Sequence, residues 1–253
     1  FFVSGLLYEA AGKYNDAYID YKKALEIFPD NTYLQKDVLR LAKKLSMTDD
    51  LERYENSFKV KPSVPDANQG EIVVLFEHGF APVKQEIKVG LATPNGIHHV
   101  AFPTYKDKWR DTKPLSVSVG GSAVGSTSPI VYVQALAAKA LREELFSMMV
   151  RQVLRVVSKQ KLAEESGNQF GDLGALGAII FNAVSENADL RSWLTLPNDA
   201  QIMRSYVAEG EHDLRLTNGT AQDVIKVKVV PGRTTLVRVV GTGPTLHSDF
   251  VVM

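Results

Sequence analysis

Residues 1–30 of this 253-residue chain carry small and ring side chains at fixed helical intervals, and no other feature constrains the fold as tightly. Phe1, Ser4, Gly5 and Tyr8 mark one face of a first helix, and Ala17, Tyr21 and Ala24 mark one face of a second. Gly5 and Ala17 let two antiparallel helices approach closely, since a larger side chain at either position would push the axes apart. Tyr8 and Tyr21 fill the space around those small residues. Gly12 supplies the left-handed residue that ends the first helix. Asn15 is a candidate cap for the second, with Asp16 near its positive end. Pro29 stops its continuation.

This spacing of Phe1, Ser4, Gly5, Tyr8, Ala17, Tyr21, Ala24 and Pro29 resembles the tetratricopeptide repeat, with Phe1 for Trp, Tyr21 for Phe and Ser4 for Leu as departures. Such a repeat cannot bury its apolar face alone, so a stacked neighbour is required. Leu34, Val38, Leu41 and Leu45 recur at helical spacing behind Asn31, a plausible cap, and a shorter helix is expected from Thr48 to Phe58. The repeat pattern does not recur there, because Leu39 and Leu51 stand 34 residues past Gly5 and Ala17. This second pair reads as a degenerate repeat or a cap. The chain opens on Phe1 inside a helical pattern, so further repeats, and a lipid anchor if there is one, are expected upstream. The resemblance implies a concave face that holds another polypeptide, with Phe2, Leu6, Glu9 and Lys13 at the matching positions. The plainer alternative is that Phe2 and Leu6 touch a preceding repeat.

Residues 59–70 read as a linker, with two prolines and a closing Gly. Beyond it, 71–79, 83–91, 96–105, 114–120 and 129–133 read as strands. A long helix is expected from about Gln134 to Glu165, buried against the sheet because its middle is apolar on most faces, and helices resume to about Trp193. Strands return at 200–208, 211–217, 224–230 and 234–240; Ile225, Val227 and Val229 alternate with Lys226 and Lys228. The stretch from 209 to 240 resembles the small β-sandwich modules of the PEGA type found in bacterial envelope proteins. The chain as a whole is similar to uncharacterised lipoproteins of the Gram-negative envelope. The expected fold is α+β: a tetratricopeptide-type region over 1–58, then an α+β domain over 71–253. Within that domain strands cover 71–133, helices 134–196 and a sandwich-like module 198–253.

Composition removes several function classes. Twenty-nine basic residues balance twenty-nine acidic ones, which argues against a general nucleic-acid binder. The absence of cysteine excludes a disulfide frame, a thiolate zinc site and a cysteine nucleophile. The longest apolar stretch, Leu173 to Val184, is shorter than the roughly 20 residues a bilayer span needs.

The chemistry-bearing residues are few. Adjacent His98 and His99 point to opposite faces of a strand, and no carboxylate stands at a telling distance, so no metal site and no cofactor is expected. The Gly- and Ser-rich run 118–128 lacks the Lys of a phosphate loop and reads as a flexible hairpin or a strand-crossing loop. A hydrolase using Ser122, Ser126 or Ser128 with His78, His98 or His99 stays open as an alternative, as does a membrane-surface module using Leu173 to Phe181. Arg151, Arg155 and Lys159 form one basic stripe. Trp193 reads as a core anchor, whereas Trp109, set among charges, is the better contact residue. These readings point to a non-enzymatic scaffold of the bacterial periplasm. It would bind protein partners, or a second copy of itself, through Phe2, Leu6, Glu9, Lys13 and Trp109. An outer-membrane anchor is kept open.

Overall fold

A computed structural model describes the chain except for residues 59, 61–64, 94–95, 106–111, 152–153, 156–157 and 159–186; for 91–93, 96 and 98 it describes the backbone alone. The chain is α+β and divides into two units. The first comprises Phe1–Phe80, Arg110–Val133 and Pro197–Met253; the second comprises Ala81–Trp109 and Gln134–Leu196.

The first unit opens with helices α1 (Phe2–Ala10), α2 (Tyr14–Ile27), α3 (Thr32–Lys44) and α4 (Thr48–Ser57). Gly12 turns the chain between α1 and α2 at φ +73°, as the sequence predicts. Ala17 and Tyr21 are fully buried where α2 meets α1. A Cβ on Gly5 would lie 2.8 Å from the Tyr21 ring, so the two helices meet at a contact only glycine allows. Ser4, the unusual residue in the pattern, donates its hydroxyl to Asp20 of α2. Asn31 caps α3 by accepting from the backbone N–H of Tyr33 and Leu34 at 3.0 and 3.2 Å. Asn15 is not a cap: α2 already starts at Tyr14, with Lys13 in the cap position, so Asn15 lies inside the first turn.

The strands of this unit form two sheets. One is five-stranded, in the order β11 (Leu246–Val252), β10 (Thr234–Gly241), β1 (Gln69–His78), β7 (Asp199–Ala208), β6 (Ser128–Tyr132), parallel only between β1 and β10. The other is antiparallel, in the order β5 (Ser122–Ser126), β4 (Ser116–Val119), β8 (Gly210–Asn218), β9 (Ala221–Val229). The pleat assigns each face of the five-stranded sheet. Ile72, Val74 and Phe76 of β1, with Met203 and Val237, pack against Val117, Leu214, Leu216 and Val227 of the second sheet. The intervening residues Val73 and Ile202, with Leu75 and Leu236, pack against Phe2, Leu6, Tyr21, Leu34, Val38 and Leu41 of the helices. The unit is therefore three layers deep: helices, five-stranded sheet, four-stranded sheet.

Two expectations need correction. The helical region and the strands, read above as successive domains, share a core, because β1 and β7 are apolar on both faces and need a cover on each. The C-terminal strands do not close a sandwich by themselves either. Their two sheets are completed by β1 and by β4–β6, and β1 sits in the middle of the larger one.

The second unit contains the antiparallel hairpin of β2 (Gln85–Thr93) and β3 (Gly96–Thr104). Residues 134–151 of this unit are helical. That helix is not buried all round. Leu141 is buried and Leu145 and Met148 half-buried on one face, while Phe146 (76 % exposed), Met149, Val150 and Leu154 lie open. Apolar residues on several helical faces, interleaved with Arg142, Glu143 and Glu144, cannot all meet one packing surface. Trp193 is 73 % exposed rather than a core anchor, and its ring N–H donates to Thr195 Oγ1 at 2.6 Å. No helix among the described residues is long and apolar enough to cross a membrane. Leu173 to Phe181 and Lys159 lie outside the described residues, whereas Arg151 and Arg155 are exposed.

Candidate functional site

The helical layer meets the five-stranded sheet through buried charge as well as apolar contact. On β7, Arg204 shares the helix-facing side with Ile202, and its side chain is 6 % exposed. Its Nε and Nη2 donate to the two carboxylate oxygens of Glu71 on β1 at 2.9 and 2.5 Å. Its Nη1 lies 2.8 Å from Asp37 Oδ1 on α3 and donates to Tyr21 Oη on α2 at 3.1 Å. Its Nη2 also reaches Glu9 Oε2 on α1 at 3.4 Å. Arg40, one turn beyond Asp37, holds Glu9 in a two-pronged pair, with Nη2 donating to Oε2 at 3.0 Å. Tyr21 Oη donates to the same Glu9 oxygen at 3.0 Å. One guanidinium on a strand thus bonds to side chains from three helices and the neighbouring strand.

Three carboxylates share two guanidiniums here, and burial acts on Asp37 and Glu9 with opposite outcomes. Burial pushes the Asp37 carboxyl up to about 6, although Arg204 and Arg40 oppose the shift. Its Oδ2 is buried without a hydrogen-bond partner among the described residues. For Glu9 burial also acts upward, but the charges of Arg204 and Arg40 and the hydrogen bonds from Arg40 and Tyr21 overcome it and hold the carboxyl down at about 2.

Beside this cluster opens a cleft of about 440 Å³, lined by Glu9, Tyr14, Arg40, Lys44, Glu71 and Arg233 among others. Lys44 and Arg233 have no Asp or Glu partner among the described residues. Lys44 Nζ sits 3.5 Å from the centre of the Tyr14 ring, and Arg233 Nε donates to the main-chain oxygen of Met253 at 2.9 Å.

The residues singled out from the sequence fall in different places. Phe2 and Leu6 are 4 % and 2 % exposed and belong to the core between helices and sheet, so they do not line an open groove. The chain's own sheet occupies the face of α1 that carries them. Glu9 sits in the charge cluster and on the cleft wall. Lys13 is exposed at the start of α2, and Trp109 lies outside the described residues. Sequence reasoning missed Asp37, Arg40, Glu71 and Arg204. The signal was there: Asp37 is embedded between the core positions Leu34, Val38 and Leu41, and Arg204 interrupts an apolar strand.

Comparison of the chain with family models, with characterised proteins and with solved structures gives no match. The site is therefore read from its own chemistry.

A second polar network stands at the other end of β7. His78 Nδ1 lies 3.0 Å from Oδ2 of Asp199, which is fully buried and also accepts from Asn198 and Gln201 at 3.0 and 2.8 Å. Gln201 Oε1 accepts from Thr127 Oγ1 at 2.6 Å. The serines proposed to join His78 lie along other strands. Ser122 and Ser126 pair with Val119 and Ser116 in the four-stranded sheet, and the run 118–128 is largely the β4–β5 hairpin, turning at Gly120 and Gly121. Ser128 faces Ile202, three residues along β7 from Asp199, about 10 Å at the rise of a strand. Among the described residues no three His, Asp or Glu side chains converge as metal ligands. The side chain of His98 is outside the described residues, and His99 is exposed on β3.

Proposed function

We propose that this protein is a non-enzymatic scaffold of the bacterial cell envelope whose tetratricopeptide-type helices hold a polypeptide partner. The observation that carries the reading is the α1–α2 hairpin, in which Gly5 lies against Tyr21 and Ala17 is buried. The α3–α4 pair stacks on α2, as a second helical pair should. The sheet fills the inner face of α1, so the partner is held at the rim of that face, where the cleft opens, rather than on Phe2 and Leu6. Periplasmic residence is part of the proposal, and fractionation of the source cells tests it. For partner binding, a photo-crosslinking residue at Tyr14 on the cleft wall is compared with one at Lys226 on β9. A discrete polypeptide adduct is expected from position 14 and none from position 226. Equal, diffuse labelling from both positions defeats the scaffold reading.

A second reading, a hydrolase, draws on the pairing of His78 with buried Asp199. It requires ester or amide hydrolysis by the purified chain that disappears in His78→Ala. The scaffold reading requires the same background rate in both proteins.

A further inference from the structure

We propose that the cleft beside the Arg204 cluster is the binding site for an acidic segment of a polypeptide, with Lys44 and Arg233 taking its carboxylates. The inference rests on the scaffold reading and names the chemistry of its partner.

The argument is one of charge complementarity. Within the seam, Glu9 is satisfied by Arg40, Arg204 and Tyr21, and Glu71 by Arg204 and Thr234. Glu9 and Glu71 therefore offer little attraction to a cation entering the cleft. The two cations that face the same space are in a different state. Lys44 rests on a π face and keeps N–H donors for a further partner, and Arg233 spends its Nε on the main-chain oxygen of Met253 and keeps its terminal nitrogens. Arg40 is itself held by Glu9 and Asp37, so the uncommitted charge of the described lining is that of Lys44 and Arg233. Among the described residues the free valence of the cleft is positive, in a molecule whose formal net charge is zero.

The walls supply the rest of the specificity. Tyr14, Ala10 and Met253 give apolar surface beside the cations, suited to the stem of a Glu or to a neighbouring aliphatic side chain. A volume of about 440 Å³ takes two or three residues, not a folded domain. The match is to a short acidic stretch that alternates with apolar residues.

The test uses the full chain and a fluorescein-labelled hexapeptide of alternating Leu and Glu, read by anisotropy at low and at raised salt. A peptide with Gln for every Glu is the control, and inorganic phosphate is the competitor. The acidic peptide should bind and lose affinity as salt rises. Lys44→Gln and Arg233→Gln together should weaken it tenfold or more, with Lys226→Gln leaving it unchanged. Lys44 and Arg233 are both exposed, so the variants should fold as the parent does, and thermal melting checks this. Lys44→Gln alone, which touches no backbone contact, should give a partial loss. Equal binding of the Gln peptide, no binding of either peptide at millimolar concentration, or no effect of the double variant overturns the proposal. Displacement by phosphate at the peptide's own concentration also overturns it, in favour of a small-anion site. If the double variant still yields the crosslinked partner at position 14, the acidic-segment proposal fails and the scaffold survives. If no partner is captured while the peptide binds as described, the scaffold reading fails and the cleft remains an acidic-peptide site.

Discussion

At the scale of single residues, Gly5 and Asp37 carry the sharpest consequences. A Gly in a helix interior ordinarily gains about 1 kcal/mol on replacement by Ala. Here the new Cβ would meet a Tyr21 ring whose hydroxyl is fixed by Glu9 and Arg204, so the ring cannot turn aside. Gly5→Ala should therefore destabilise the protein by about 1–3 kcal/mol in urea unfolding, the cost of overpacking. A variant more stable than the parent would mean that the two helices are further apart than described. Asp37 and Glu9 set opposite pH dependences. The Asp37 carboxyl is raised to about 6 from 3.8, so the folded state holds its proton more tightly. That contribution is complete below about 3.8 and is lost as pH rises through 6. Glu9 is lowered from 4.5 to about 2, so its contribution is complete above 4.5 and is lost as pH falls through 2. Asp37→Asn should gain on the parent protein as pH rises from 4 to 7 in a series of urea midpoints. Parallel curves for the two proteins over that range would contradict the buried, proton-holding carboxyl.

At the scale of elements, two polar features join the helices to the sheet beside the apolar core, and each can be removed. Arg204 joins β7 to α1, α2, α3 and β1. Arg204→Met should cost about 3–5 kcal/mol, because it leaves Glu71 and Asp37 buried without their main cation. The loss should exceed that of Arg53→Ala, an exposed ion pair on α4, by several-fold in the same melting assay. The start of α3 is the second feature. Asn31 caps the helix and donates its Nδ2 to the Pro129 carbonyl on β6 at 2.9 Å, and Tyr33 Oη donates to the Ser126 carbonyl at 2.7 Å. Asn31→Ala removes a cap worth about 1 kcal/mol and leaves a carbonyl unpaired for a further 1–3 kcal/mol. Asn31→Asp, which keeps the cap and loses the Nδ2 donor, should recover only the first part.

At the scale of the whole molecule, the helices complete a core rather than precede one. Deleting residues 1–58 uncovers the Val73, Leu75, Ile202 and Leu236 face and strands Arg204 and Glu71. The remaining chain should aggregate or lack cooperative melting, whereas an independent β domain would melt sharply; circular dichroism with light scattering decides between them. Much of the local structure was legible in sequence. The helical hairpin with its Gly12 turn, the Asn31 cap and most strands follow from capping chemistry, small-residue spacing and period-two alternation, all of which act over a few residues. The strands β5 and β11 escaped notice, since Ser122–Ser126 is Gly- and Ser-rich and Leu246–Val252 breaks alternation with His247, Ser248 and Asp249. What only the tertiary structure decided is which apolar face meets which. The sequence marks Phe2 and Leu6 as the inner face of α1, and Val73 and Ile202 as apolar. That they bury each other, that Glu9, Asp37 and Glu71 meet Arg204, and that Lys44 and Arg233 face one cleft depend on contacts between residues up to nearly two hundred positions apart. Burial is non-directional, so a hydrophobic pattern says that a face must be covered and leaves its partner to be set by the packing of the whole chain.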